Sequence, residues 1–159
     1  LTGHLVFSTL HTNDAPSAIT RLLDIGVKPF LVASALRAAM AQRLVRAICE
    51  NCREEYAPTE RDLKMLGAIS KTMPEHVYRG RGCDKCGHTG YKGRKGIFEI
   101  FKVDDTIQRL IFDHAPATLL RERARELGMR TLREDGMLKV ASGMTSLQEI
   151  LRVTMGDAD

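Results

Sequence analysis

The sequence contains no tryptophan, and aromatic residues make up only 5% of its 159 positions. It also lacks any apolar run near the roughly 18 residues that a membrane-spanning helix needs, so we predict a protein that does not span the membrane. The 24 basic and 20 acidic residues nearly balance, and this mixed charge does not by itself indicate nucleic-acid binding. With 43% hydrophobic residues, the composition favours a packed globule of one domain or two small ones.

The chain begins at Leu1 without an initiator methionine and enters an apolar stretch almost at once. A natural amino terminus seldom lies inside a buried element. We therefore expect the sequence to be a piece of a longer protein, whose chemistry depends partly on residues that are absent from it.

The first 48 residues have the pattern of an open α/β sheet. We expect, in chain order, a strand covered on both faces, two helices and a second strand: Leu5–Leu10, Ala15–Leu23, Pro29 to about Gln42, and Leu44–Ile48. Asp14 is a suitable helix cap, and Gly26 lies where a helix-ending glycine belongs. A further strand over residues 94–103 is predicted to pair beside Leu44–Ile48.

Residues 104–159 have helical periodicity throughout. We predict four short helices, the first capped by Asp104 or Asp105, the second opened by Pro116 and the third beginning near Thr131. The pattern Ser146-x-x-Glu149 is that of a capping box at the start of the fourth helix. These helices are expected to form a small α-helical subdomain.

The middle of the chain, residues 49–93, has few large apolar side chains but holds all four cysteines and six of the thirteen glycines. A segment of this composition cannot build much of a hydrophobic core, so it needs a cross-link such as a bound metal ion to stabilise its fold. Cys49-x-x-Cys52 and Cys83-x-x-Cys86 form two pairs, each able to grip one ion from a tight turn. Four thiolates at this spacing are typical of a structural zinc site with no open position for substrate.

Other uses of the four thiols stay open at this point. They could hold an iron–sulfur centre, form a redox pair, or have no ligand at all. A redox pair is disfavoured because two matched pairs are unnecessary for it, and because no secretory leader is recognisable we expect a reducing compartment. His88 could replace one cysteine ligand, but we expect it to face solvent.

Residues 2–15 (TGHLVFSTLHTNDA) resemble the histidine box of the ATPases that power type II secretion and type IV pilus assembly, the GspE/PilB family. The resemblance continues, in order, through further segments: Gln42–Arg46, both cysteine pairs, Thr89–Arg94, Gly96–Glu99, Gly128–Gly136 and Thr145–Thr154. Because the agreement covers essentially the whole chain, the sequence is identified as a member of this family from its histidine box onward.

The resemblance implies an α/β fold: the end of a RecA-like ATPase core, an inserted tetracysteine zinc subdomain and a C-terminal α-helical subdomain. The corresponding ranges are 1–48 with the returning strand 94–103, then 49–93, then 104–159. For the full-length protein it implies a homo-hexamer that uses ATP and Mg²⁺ in the bacterial cytoplasm. That hexamer would be peripheral at the inner membrane, in contact with secretion or pilus platform proteins and not with nucleic acid.

The resemblance also suggests which residues serve the nucleotide. We expect His11 to lie near the γ-phosphate, where an imidazole can hydrogen-bond a phosphate oxygen, and His4 to orient the histidine box. Arg46, and after it Arg43, are the candidates for nucleotide contact, because an arginine stabilises the charge on a transferring phosphoryl group. From residue type alone, each of these side chains is equally explained as structural or solvated.

No phosphate-binding loop of the form G-x-x-x-x-G-K-[ST] occurs in the sequence. Residues 90–96 (GYKGRKG) are glycine-rich and basic but lack the required order. Without that loop neither the β- and γ-phosphates nor Mg²⁺ are held, so we expect this chain alone not to hydrolyse ATP.

We therefore predict the C-terminal portion of a hexameric ATPase that powers protein export. The LREDG form at Leu132–Gly136 favours type II secretion, and a type IV pilus assembly ATPase is the alternative within the family. From a different class, the rival is a basic zinc-ribbon module that binds nucleic acid. Few aromatic residues and nearly balanced charges disfavour that rival.

Overall fold

The structure is a computed structural model, and it describes residues 3–66 and 73–155. Leu1 and Thr2 lie outside the described residues, and Thr2 is the first residue of the predicted histidine box. In the described ranges the helices are α1 (Ser17–Asp24), α2 (Pro29–Ala35), α3 (Glu60–Leu66), α4 (Asp105–Phe112), α5 (Ala117–Glu126), α6 (Leu132–Ala141) and α7 (Leu147–Val153). The strands are β1 (Ala38–Ile48), β2 (Arg53–Tyr56), β3 (Val77–Gly80) and β4 (Tyr91–Lys102).

The chain forms two compact units. One comprises Leu1–Ala41 and Glu99–Arg130, and the other comprises Gln42–Phe98 and Thr131–Asp159. The division falls inside both β1 and β4, which pair in a two-stranded sheet as the sequence predicted. The mixed α/β character is confirmed, whereas the RecA-like core and the division at residues 48, 93 and 103 stay predictions.

The first unit is built on α1, α2, α4 and α5. The N-cap of α4 is Asp104, whose Oδ1 accepts a hydrogen bond from the Ile107 N–H at 2.8 Å. Before α1, Asp14 Oδ1 accepts a hydrogen bond from the N–H of Ser17, the first residue of that helix, also at 2.8 Å. The buried residues of this core are Ala15, Ile19, Val32, Ala33, Phe101, Ile107, Ile111, Leu120, Ala124 and Met129. Helical spacing of apolar residues therefore predicts this core correctly.

The second unit contains β2, β3, α3, α6 and α7. Strands β2 and β3 are antiparallel, from Arg53 opposite Gly80 to Tyr56 opposite Val77. Helix α6 begins with a reciprocal capping box, in which Thr131 and Glu134 each bind the other's backbone N–H through a side-chain oxygen. Among the described residues, no helix is long and apolar enough to cross a membrane.

The strand predicted at Leu5–Leu10 is wrong for this structure. Residues 4–12 adopt neither helix nor strand, and Leu5, Val6 and Phe7 are 75%, 79% and 88% exposed. A strand that is apolar on both faces needs hydrogen-bonded neighbours and a cover on each side. Within the described ranges, no strand lies beside this segment to supply them.

The second predicted helix is also too long. It begins at Pro29 as expected but ends at Ala35, and β1 begins at Ala38 rather than at Leu44. The alanine-rich sequence after Ala38 has high helix propensity, yet pairing with β4 determines its conformation. Tertiary context overrides local preference here, whereas the predicted positions of α1 and α4–α7 are confirmed.

Candidate metal centre and its surroundings

The four cysteines lie together between two short turns. Cys49 precedes a 3₁₀ turn at Glu50–Cys52, and Cys83 precedes another at Asp84–Cys86, so each turn brings its pair of thiols to one side. All four Sγ atoms lie within 4.8 Å of one another. The closest pairs are Cys49 with Cys83 and Cys52 with Cys86, both at 3.9 Å, and Cys83 with Cys86 at 3.8 Å.

These distances fit one tetrahedral ion. A Zn–S bond of about 2.3 Å gives a tetrahedron whose sulfur–sulfur edges are about 3.8 Å. A disulfide requires an S–S distance of about 2.05 Å, so the cysteines are free thiols placed for a ligand. A multi-iron cluster needs a wider cage of sulfurs than this one. The donor set therefore fits a single tetrahedral metal ion.

Hydrogen bonds to the sulfurs of Cys83 and Cys86 favour their ionised form, whereas burial raises the pKa of the Cys52 thiol to about 11. The backbone N–H groups of Cys83 and Gly90 donate to Cys86 Sγ at 3.2 and 3.3 Å, and Asn51 Nδ2 donates to Cys83 Sγ at 3.3 Å. Burial alone pushes the pKa of Cys86 up, but these N–H groups and the neighbouring thiols lower it to about 6. The Asn51 amide likewise lowers the pKa of Cys83. Such donors orient ligands around a metal.

Glycines allow the two ends of the segment that carries the second cysteine turn to approach each other. A Cβ atom on Gly80 would lie 2.0 Å from the carbonyl oxygen of Gly90, and Gly90 itself has a φ of +79°. Next to this contact, the Cys49 N–H donates to the Gly90 carbonyl at 2.9 Å. His88 is outside the thiol cluster, exposed, and 3.0 Å from Asp84, as expected for a solvent-facing histidine.

The two predicted histidines lie in the exposed segment that precedes α1. Both His4 and His11 are exposed, and neither belongs to a helix or strand. Neither histidine belongs to the group of thiols, and neither lines either of two cavities in the described chain, one formed by residues between positions 47 and 95 and the other by residues between positions 30 and 113. Their catalytic roles stay predictions.

Arg46 is held by a buried carboxylate and an aromatic ring. Its Nη2 and Nε atoms lie 2.7 and 3.0 Å from Glu149 Oε2, and its backbone N–H donates to Oε1 at 3.0 Å. The guanidinium also stacks on Tyr91, 4.1 Å from the ring centroid. Arg43 donates to the Val153 carbonyl. Nucleotide contact by either arginine stays a prediction.

Glu149 is the residue that sequence reasoning misplaced. Ser146 Oγ accepts from the Glu149 N–H at 3.2 Å, but the Glu149 carboxylate does not return to Ser146 and instead binds Arg46 and Arg152. Burial tends to raise its pKa, and the two arginines overcome this and lower it to about 2. The sequence held an indication that this carboxylate is buried, because Glu149 stands among the apolar residues of α7.

Tyr91 connects this carboxylate to the metal centre. Its hydroxyl hydrogen-bonds Ser146 Oγ at 2.6 Å, and its ring carries the Arg46 guanidinium. The preceding residue, Gly90, contacts both the Cys86 sulfur and the Cys49 backbone. A continuous set of contacts thus runs from the thiols to the start of α7.

Four thiols that converge from two short turns form a group that could hold one metal ion, carried by an α/β chain. A sequence model of the family described as "Type II/IV secretion system protein" matches residues 1–152. The chain belongs to this family, and the resemblance predicted from the histidine box is confirmed.

Relatives come from both secretion and pilus systems. The chain is 49% identical over 156 residues to the type IV pilus assembly ATPase PilB of Thermus thermophilus, covering 98% of this chain and 18% of that protein. It is 50% identical over 154 residues to the type II secretion system protein HxcR of Pseudomonas aeruginosa, covering 97% and 29%. It is 47% identical over 154 residues to the type II secretion system ATPase E of Vibrio cholerae, covering 97% and 30%. The chain thus spans 18% to 30% of the length of these three relatives.

Proposed function

We propose that this chain is the C-terminal part of an ATPase that powers protein export or pilus assembly. The similar proteins of Thermus thermophilus and Vibrio cholerae are named as ATPases of these two systems, and each aligns with nearly the whole chain. In the full-length protein, a RecA-like core would bind ATP and Mg²⁺ and move the subunits of a homo-hexamer. The hexamer would work in the cytoplasm against platform proteins of the inner membrane.

We propose that the four thiolates of Cys49, Cys52, Cys83 and Cys86 hold one structural Zn²⁺. The observation that supports this is the cluster of four sulfurs within 4.8 Å of one another, in which three of the six sulfur–sulfur distances are 3.8 to 3.9 Å where single-ion geometry requires about 3.8 Å. Zinc bound here would cross-link the two halves of residues 49–93, a segment that has little apolar core. Because all four ligands come from the protein, no position is left for a substrate.

The nucleotide contacts remain part of the proposal. His11 would hydrogen-bond the γ-phosphate, with His4 orienting the segment, and Arg46 and Arg43 would approach the phosphates. The guanidinium of Arg46 supports its role in one respect: it is fixed by Glu149 and Tyr91, yet 47% of its side chain is exposed. A charge held in place in this way stabilises developing phosphoryl charge without reorganising.

Zinc K-edge absorption on the purified chain tests the metal proposal directly. We expect one zinc per chain, with four sulfur neighbours at about 2.3 Å and no nitrogen neighbour. Iron in place of zinc, or a histidine nitrogen in the coordination shell, would contradict it. A histidine neighbour would assign a role to His88 that its exposed position does not support.

Type II secretion is favoured over pilus assembly by the LREDG form at Leu132–Gly136. Relatives from the two systems have nearly equal identity, 50% and 49%, and so do not separate the alternatives. Complementation provides the test. The full-length gene should restore secretion to a strain that lacks its type II ATPase, and restored piliation alone would favour the other system.

A further inference from the structure

A cationic groove lies beside the metal centre in the second unit. Its volume is about 650 Å³, and it is formed by the end of β1, the first cysteine turn and the beginning of β4. Its charged and polar lining residues are Lys85, Lys92, Arg94, Lys95, Glu50 and Asn51. Three of the cations belong to the GYKGRKG segment, which the metal centre and the proposed nucleotide contacts leave without a role.

A single carboxylate, that of Glu50, lines this groove beside its four cations. Across residues 3–66 and 73–155, none of Lys85, Lys92, Arg94 and Lys95 forms an ion pair or a side-chain hydrogen bond, and all four are exposed. Some other cations of the same unit do have a carboxylate partner, as Arg79 has Glu54 at 2.7 Å. With one carboxylate against four cations, the groove has a net charge of +3.

Four cations on one concave surface repel each other when no anion is bound, and a bound anion would make the same arrangement favourable. Like charges lining one concave surface repel each other, and the concave wall concentrates their potential over the groove. A multiply charged anion removes the repulsion and gains several charge-assisted hydrogen bonds at once. A volume of this size matches a small ligand better than an extended macromolecule.

We propose that this groove binds a polyphosphate anion, a short chain of phosphoryl groups free in solution. The Arg94 guanidinium offers a fork that matches two phosphate oxygens, and the lysines act as point charges along the chain. A nucleic acid fits less well, because unspecific single-strand binding relies on aromatic platforms and no aromatic residue lines the groove. This site is separate from the nucleotide contacts proposed at His11 and Arg46.

The metal centre offers a competing explanation for the same cations. A tetrathiolate zinc site carries two negative charges, and nearby lysines could serve only to balance them. That explanation predicts that removing the cations weakens zinc binding. The polyphosphate site predicts instead that zinc is retained and that anion binding is lost.

Titration of the zinc-loaded chain with inorganic tripolyphosphate, by calorimetry and ³¹P NMR, distinguishes the two. The test variant is Lys92→Gln/Arg94→Gln/Lys95→Gln. The matched control is Arg61→Gln/Lys64→Gln/Lys102→Gln, which removes the same number of cations outside the groove, all of them exposed and without an ion pair among the residues that the structure describes. We expect the groove variant to bind roughly tenfold to a hundredfold more weakly, the control to bind within about twofold, and both to keep one zinc. Added salt should weaken binding to the unmodified chain.

Several results would overturn the proposal. Equal weakening in both variants would show unspecific attraction to net charge. Loss of zinc in the groove variant, with tripolyphosphate affinity retained, would assign the cations to the metal centre. Binding to anionic lipid vesicles or to single-stranded DNA that depends on the groove, with no tripolyphosphate binding, would assign it to a macromolecule. The double variant Lys92→Gln/Lys95→Gln repeats the test with less perturbation should the triple variant fold poorly, and unchanged affinity in it would count against the site.

Discussion

In the segment before α1 and in the cysteine segment, apolar content and secondary structure are related in opposite ways. Residues 4–12 include a strongly apolar run, yet they form no helix or strand and expose Phe7 almost completely. Residues 49–56 and 77–93 have few large apolar side chains, yet they form two paired strands and a cluster of four thiols within 4.8 Å. Hydrophobicity alone therefore does not determine which segment is structured.

The difference lies in where each segment finds its partners. An apolar strand gains stability only when neighbouring strands satisfy its backbone and other elements cover its faces. The cysteine segment carries its own partners, because its two halves are joined by the thiols and by hydrogen bonds from the Cys49 N–H to the Gly90 carbonyl and from the Arg81 N–H to the Cys52 carbonyl. Changes that remove those internal partners should have larger effects on this chain than changes in the exposed segment.

Cys83→Ser should have the largest effect, because it removes one of the four metal ligands. Structural zinc contributes roughly 10 kcal/mol or more of binding free energy that is also folding free energy. We expect loss of bound zinc and fast amide exchange in residues 49–56 and 77–93, measured by elemental analysis and hydrogen–deuterium exchange.

His88→Ala is the matched control for that change, because His88 lies close to the cysteines in sequence but outside the thiol cluster. It should keep the zinc and the exchange pattern. Amides of α4 and α5 should stay protected in Cys83→Ser as well, since those helices have a core of their own. Fast amide exchange throughout both units of Cys83→Ser would mean that the metal ion does not stabilise the cysteine segment separately from the rest of the chain.

His11→Ala should have a large effect of another kind, seen only in the full-length protein. An exposed imidazole contributes little to the fold of this chain, whereas a positioned hydrogen-bond donor near the γ-phosphate is worth roughly 10² to 10³ in rate. We expect ATP turnover by the full-length hexamer to fall by that factor, with zinc content and hexamer assembly unchanged. Normal turnover would leave His11 as a solvated side chain, and His114→Ala is a control histidine in the same unit.

Local patterns predicted most of the fold, and the exceptions share one cause. The positions of α4–α7 follow from caps and apolar spacing, and the thiol cluster follows from two closely spaced pairs. The strand at Leu5–Leu10 and the helix beyond Ala35 failed because their conformation depends on distant strands. No local pattern encodes such pairing.

The surroundings of the metal centre were less predictable than its ligands. Spacing identifies Cys49, Cys52, Cys83 and Cys86, but it says nothing of the Asn51 amide that donates to a sulfur. The link between Arg46 and Glu149 joins residues 103 positions apart, and capping-box logic assigned that carboxylate to Ser146 instead. Stronger partners from other elements replace a local one when they are close.

Glu149→Gln should cost less than loss of the metal but clearly destabilise the second unit. The carboxylate is buried and forms ion pairs with two arginines, so the folded state stabilises its ionised form. We expect a loss of about 2 to 3 kcal/mol in the free energy of unfolding, measured by denaturant titration near neutral pH. Glu126→Gln removes an exposed partner of Arg123 at the same helical spacing and should cost less than about 0.5 kcal/mol.

The same carboxylate predicts the sign of the pH dependence. The pKa of Glu149 is lowered from 4.5 to about 2, so the fold is stabilised while the group is ionised in both states, above about pH 4.5. That contribution should be lost as the pH falls from about 4.5 toward 2. The difference in stability between the unmodified chain and Glu149→Gln should shrink over this range, and a constant difference would show that ionisation is not its cause.

Phe7→Ala should have the smallest effect, because the residue is 88% exposed and its ring buries little apolar surface in the fold. We expect a change in the free energy of unfolding of this chain below about 0.5 kcal/mol, the usual range for surface substitutions. Phe101→Ala removes the same ring from a fully buried site in the same unit and should cost about 3 to 5 kcal/mol. In the full-length protein, further strands could cover the strand predicted at Leu5–Leu10, and Phe7→Ala should then become nearly as costly as Phe101→Ala. An unchanged small effect there would mean that this apolar run stays exposed in the full-length protein, and that the strand assignment is wrong for the whole protein as well as for this chain.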